Sequence, residues 1–140
     1  MDIAHFSAST HPPGPVSRRA AVEAIYATGH WLLGQERTPE AASVFRTMIH
    51  AEPRDERGWL GLGECHERAD QPRIAAEILG AGSAVAASPV RLLLARARVL
   101  AGGGYELDAE HAFVAADQAA EASGNEELVA LVASERRRRP

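Results

Sequence analysis

From Val16 onward the apolar residues recur at three- and four-residue spacings, the signature of helices that bury one face. That rhythm predicts seven helices, at about 17–34, 39–51, 56–69, 72–87, 90–101, 107–122 and 125–138. Thr38-Pro39-Glu40, Asp55 and Asn125-Glu126-Glu127 mark helix starts, where acidic groups meet the positive end of the helix dipole. Gly102-Gly103-Gly104 marks a turn. Before Val16 the chain mixes small, polar and turn-forming residues and ends in His11-Pro12-Pro13-Gly14-Pro15. Proline fixes φ and lacks a donor, so residues 1–15 are expected to be a flexible arm that is extended or disordered. Residues 16–140 are expected to form a single domain.

A repeat underlies the helical rhythm. In a 34-residue window from Val22, positions 4, 8, 11, 20 and 24 are Ile25, Gly29, Leu32, Ala41 and Phe45. One period later the same positions hold Trp59, Gly63, His66, Ala75 and Leu79, and one further Leu93, Ala97, Leu100, Ala109 and Phe113. Pro53 and Pro89 stand near the ends of the first two units. Small residues at positions 8 and 20 let two antiparallel helices approach, and large apolar residues fill the gaps around them. This pattern resembles the tetratricopeptide repeat, in units of about 22–55, 56–89 and 90–123. The expected fold is all-α: a solenoid of three helix-turn-helix repeats closed by a C-terminal capping helix at about 125–138. Gly63 is expected to face Ala75. Arg96 departs from the pattern, standing at the seventh position where an apolar residue belongs. It requires a rotated helix, a head that reaches past the stack, or an acidic partner.

Composition sharpens this picture by exclusion. Alanine is abundant and aromatics are only 5%, a balance that favours close-packed helices over strands. The net charge of −4 argues against a general nucleic-acid binder, and every basic residue is arginine. A lone cysteine, Cys65, leaves no internal disulfide or cysteine zinc site and fits a cytosolic protein. The first residues have no secretory pattern, and no apolar run is long enough to span a bilayer. His5, His11, His30, His50, His66 and His111 show no i,i+4 pairing, so no metal or other cofactor is expected. Gly61-Leu62-Gly63 lacks the third glycine of a dinucleotide loop. Without interleaved aromatics, the run Arg136–Arg139 is expected to be a solvated helix end that complements the dipole. No catalytic constellation emerges, and the chain is read as a binding scaffold.

The repeat resemblance also implies where binding occurs. The first helix of each pair lines a concave groove, and its second, fifth, ninth and twelfth positions point inward. Those positions give Tyr26, His30 and Leu33, with Glu23, from the first repeat. They give Arg57, Leu60, Glu64 and Glu67 from the second, and Arg91, Leu94 and Arg98, with Ala101, from the third. An apolar line of Tyr26, Leu33, Leu60 and Leu94 with a charged rim suits a peptide.

A narrower likeness rests on Phe45-Arg46-x-Met48-Ile49-x-x-x-Pro53 and Trp59-Leu60-Gly61-Leu62-Gly63-x-Cys65-His66-Glu67. The stretch resembles the class II chaperones of bacterial type III secretion. That resemblance implies a cytosolic chaperone that holds a segment of a hydrophobic translocator in its groove before export. It also implies possible homodimerisation through the N-terminal region. Two other readings stay open: a co-chaperone for needle subunits of the same secretion system, and a general protein–protein adaptor or regulator.

Overall fold

The computed structural model describes residues 15–139, and they form seven α-helices joined by short turns. These are α1 (Pro15–Gly34), α2 (Thr38–Ala51), α3 (Glu56–Arg68), α4 (Pro72–Val85), α5 (Val90–Gly102), α6 (Glu106–Ser123) and α7 (Glu126–Arg137). Apart from Pro15, which heads α1, the expected N-terminal arm lies outside the described residues.

Local chemistry sets the boundaries. The Asp55 side chain caps α3 by accepting from the Arg57 backbone N–H. Asn125 accepts from the N–H groups of Glu127 and Leu128 and so starts α7, and the left-handed Gly124 before it closes α6. Pro39 and Pro72 stand in the first turns of α2 and α4, where a missing N–H costs nothing.

The repeat is visible in the backbone itself. A positive φ occurs at Glu36 (58°), Asp70 (58°) and Gly104 (85°), each in the turn inside a helix pair. These positions are one 34-residue period apart, and only the third carries the residue for which that conformation has no steric cost. Contacts between successive pairs repeat the spacing. Glu23 meets Arg57, the Leu33 carbonyl meets Arg68, and Asp108 meets Arg73, at separations of 34 or 35 residues.

Each helix packs on the next, and α1, α3 and α5 also touch in series, which makes the chain a helical repeat solenoid. Three apolar clusters fill it: one shared by α1, α2 and α3, one by α3, α4 and α5, and one by α4 to α7. Glycine controls the closest approaches. The Phe45 ring of α2 lies between Gly29 of α1 and Gly61 of α3, and a Cβ at Gly29 would stand 2.8 Å from the ring. A Cβ at Gly61 would overlap the same ring. Trp59 covers Gly82 of α4 and donates its indole N–H to the Pro53 carbonyl at 2.8 Å.

At Gly63, expected to face Ala75, another residue of α4 comes nearest. The nearest side chain to Gly63 is Leu79, 2.8 Å from where a Cβ would stand and one turn beyond Ala75 along α4. Leucine reaches further than alanine, so it claims the space that the glycine leaves. Nε, Cδ and Cζ of Arg96 pack against Gly80, and the side chain borders a cavity shared with Glu77 and Asp108. Its Nε has no hydrogen-bond partner.

The C-terminal arginine run is not the uniform solvated end expected. Arg136 pairs with Asp117 and Glu110, and Arg139 with Glu110 and Glu106, all on α6. Arg139 also lies over the Phe113 ring at 4.3 Å. Arg136, in the last turn of α7, and Arg139, just beyond its end, both reach back to α6 and clamp α7, while Arg137 and Arg138 are exposed.

Candidate functional site

Helices α1, α3 and α5 present one side to a groove formed by two adjoining cavities. The smaller, about 190 Å³, is lined by Tyr26, His30 and Leu33 of α1 and by Arg57, Leu60 and Glu64 of α3, with Phe45 and Gly61 beneath. In the larger, about 560 Å³, Leu60, Glu64 and Glu67 face Arg91 and Arg98 across a floor of Leu79 and Val99. Leu131 of the terminal helix closes its far end. Leu60 and Glu64 border both cavities, so the two form one path along the inner helices.

Nine of the ten expected groove residues thus border this path, although Leu33 is only 4% exposed and shows little more than an edge. Leu94 does not, and that expectation is corrected. It is fully buried, in the cluster that includes Phe113 of α6 and Leu128 and Val132 of α7. Extending the repeat pattern treats the third unit as if nothing followed it. The capping helix supplies apolar partners there, and Leu94 turns toward them. Ala95 and Val99 line the groove there instead. Neither they nor Leu131 fall at the positions the repeat assigns to the groove; only the helix that follows the last repeat could have signalled them.

The charged groups of the groove are largely organised in advance. Arg57 makes two hydrogen bonds to Glu23, at 2.7 and 3.1 Å, and bonds Asp55 at 2.8 and 3.0 Å. Its guanidinium lies 4.5 Å from the centre of the Tyr26 ring, which itself stacks on His30 at 6.0 Å. Hydrogen bonds from Arg57 hold both carboxyls below their ordinary range, and the two carboxylates push the guanidinium higher still. One period later Arg91 lies 3.6 Å from Glu56, whose carboxyl is raised by burial. Arg98 reaches Glu135 of α7 at 3.9 Å. Tyr26 is therefore a braced aromatic wall, not a free side chain.

The Arg57 cluster has a pH consequence. Asp55 and Glu23 are depressed in the folded chain, so their contribution is complete above the ordinary values of 3.8 and 4.5. It is lost as pH falls through the lower folded values. Arg57→Ala should lower the melting temperature by a few degrees at pH 7, and the gap from wild type should narrow toward pH 3. Thermal melts by circular dichroism check this, and a gap that stays constant would mean that the ion pairs add nothing.

Among the described residues no group of three His, Cys, Asp or Glu side chains converges as a metal site would require. No helix among them is long and apolar enough to cross a membrane.

No protein-family model matches the chain, and no curated protein sequence does. Solved structures match it over most of its length. The Yersinia enterocolitica type III secretion translocator chaperone SycD superposes with a TM-score of 0.69 at 23% identity, covering 83% of this chain and 87% of that one. PcrH of Pseudomonas aeruginosa, in complex with the chaperone binding region of PopB, gives 0.67 at 23% identity, over 83% of this chain and 94% of that one. SycD with a peptide of the translocator YopD gives 0.66 at 23% identity, over 83% and 89%. In its all-helical repeat fold, this chain is similar to the translocator chaperones of type III secretion.

Proposed function

We propose that the protein is a binding chaperone and not an enzyme, one that holds an apolar segment of a type III secretion translocator in the groove along α1, α3 and α5. The observation that carries this reading is the continuous path itself, apolar on its floor and charged on its rim. Such a surface matches a partly disordered segment that orders on binding, with moderate affinity and ready release. Support comes also from the neighbours, which were crystallised with the chaperone binding region of PopB and with a YopD peptide. Covering such a segment keeps it from aggregating or entering a membrane early. The protein would act in the cytosol, where its client is made. The reading includes a homodimer, as described for SycD.

Co-expression with the hydrophobic translocator of the same secretion system tests the proposal. The translocator should move from the insoluble to the soluble fraction and co-elute with the chaperone. If a needle subunit or a transcription factor is held instead and the translocator stays insoluble, the translocator reading fails.

A further inference from the structure

Away from the groove, one edge of the solenoid carries a niche that recurs one repeat later. The first copy lies between the start of α2 and the end of α3 and encloses about 560 Å³. Its successor, between α4 and α5, encloses about 210 Å³. A shift of one 34-residue period explains the difference, because Ala42 corresponds to Ala76, Pro39 to Arg73, and Gln71 to Tyr105. In the second niche Arg73 lies 5.1 Å from the Tyr105 ring centre and reaches Asp108 at 3.3 Å, and the Arg96 head enters as well. In the first, Gln71 stands in the place of the tyrosine and is held against the His66 ring at 2.8 Å. The space stays open.

Charge separates the two niches further. The second balances Arg73 and Arg96 with Glu77 and Asp108. The first has Arg46 and Arg68 and no lining carboxylate, in a chain whose net charge is −4. Arg68 is engaged, donating to the Leu33 carbonyl at 3.0 Å and to Glu64 at 2.9 Å. Arg46 is exposed and has no ion-pair partner among the described residues. The floor between them is apolar: Ala42 is 7% and Cys65 2% exposed.

We propose that this niche is a second protein-binding site, which takes an acidic segment of a partner protein. One apolar side chain of that segment would seat over Ala42 and Ala69, and a neighbouring carboxylate would bond Arg46. A charge-assisted bond from arginine to carboxylate is geometrically specific, and the apolar floor rewards a side chain that a bare anion lacks. One free guanidinium is too few for a nucleic-acid backbone, whose binding needs several neutralised phosphates. The site is lined by α2, the end of α3 and the α3–α4 turn, and shares no lining residue with the client path along α1, α3 and α5. A client and a second partner could therefore be held together. This inference does not depend on what occupies the groove.

The test uses the full-length protein and three capped tetrapeptides of equal length: Glu-Leu-Glu-Leu, Gln-Leu-Gln-Leu and Lys-Leu-Lys-Leu. Amide chemical shifts in NMR titrations should move at Thr38, Arg46 and Ala69 with the acidic peptide, and affinity should fall at least tenfold for the glutamine version. Arg46→Ala should weaken the acidic peptide at least tenfold. Gln71→Tyr, which copies the plug of the second niche, should do the same, while Leu60→Ala in the groove should leave it unchanged. Equal binding of the glutamine peptide, shifts confined to the groove, or retention by both niche variants would overturn the proposal. So would sedimentation showing a dimer that Arg46→Ala dissociates, because the niche would then belong to a contact between copies.

Discussion

Phe45→Ala is expected to cost about 3–5 kcal/mol, a large share of the ~5–15 kcal/mol by which a domain is ordinarily stable. The ring is 1% exposed and is flanked by two glycines, Gly29 and Gly61, on two different helices. Glycines have no side chain that could relax into the vacated space, so the cavity cannot close without moving a helix. The same geometry predicts a reversal of sign. Gly61→Ala alone should destabilise, because its Cβ would overlap the ring, even though alanine is favoured over glycine in a helix by about 1 kcal/mol. Combined with Phe45→Ala, the same change should become stabilising, since the clash is gone and the propensity gain remains. Chemical denaturation of the four proteins in a double-mutant cycle measures the coupling. Additive effects would mean that Phe45 does not pack between these helices.

The fold was largely legible because its restraints are periodic. Gly29, Gly63 and Ala97 mark the close helix contacts at one spacing, and the turns at Glu36, Asp70 and Gly104 share one backbone conformation. A period can be read without knowing what any residue touches. What it could not supply are the places where a residue meets something outside its own repeat. Leu94 occupies the same repeat position as Leu60, yet α7 closes over its cluster and leaves no equivalent cover on Leu60. Arg136 and Arg139 looked like part of a solvated run until the acids of α6 were placed opposite them. Leu79, one turn beyond Ala75, comes nearest to Gly63 because side-chain reach, and not helix spacing alone, decides which neighbour fills a gap. Periodicity yields the scaffold. The site depends on how the ends of the scaffold break it.

That distinction shapes the second large expected effect, on client binding. Tyr26 and Leu60 come from different repeats but border the same cavity, with Tyr26 braced between Arg57 and His30. A rigid aromatic wall and a leucine at the join of two cavities are the kind of anchors on which interface energy concentrates, about 2 kcal/mol or more each on truncation. Tyr26→Ala combined with Leu60→Ala should therefore weaken client capture by at least ~100-fold, if the losses roughly add. Titration of the client's chaperone-binding segment by calorimetry gives the number, and circular dichroism must show unchanged helix content. Two controls separate groove from framework. Arg137→Ala with Arg138→Ala removes outward charge from α7 without touching its clamp, and should leave affinity as it was. Leu94→Ala should cost about 2–5 kcal/mol of stability, because its site is fully buried, yet leave the affinity of the folded fraction unaltered. If Leu94→Ala abolishes binding in a protein that melts like wild type, Leu94 faces the client after all and the groove described here is misplaced. If the Tyr26 and Leu60 pair keeps full affinity while the tail variant loses it, the client binds the basic end of α7 and not the groove.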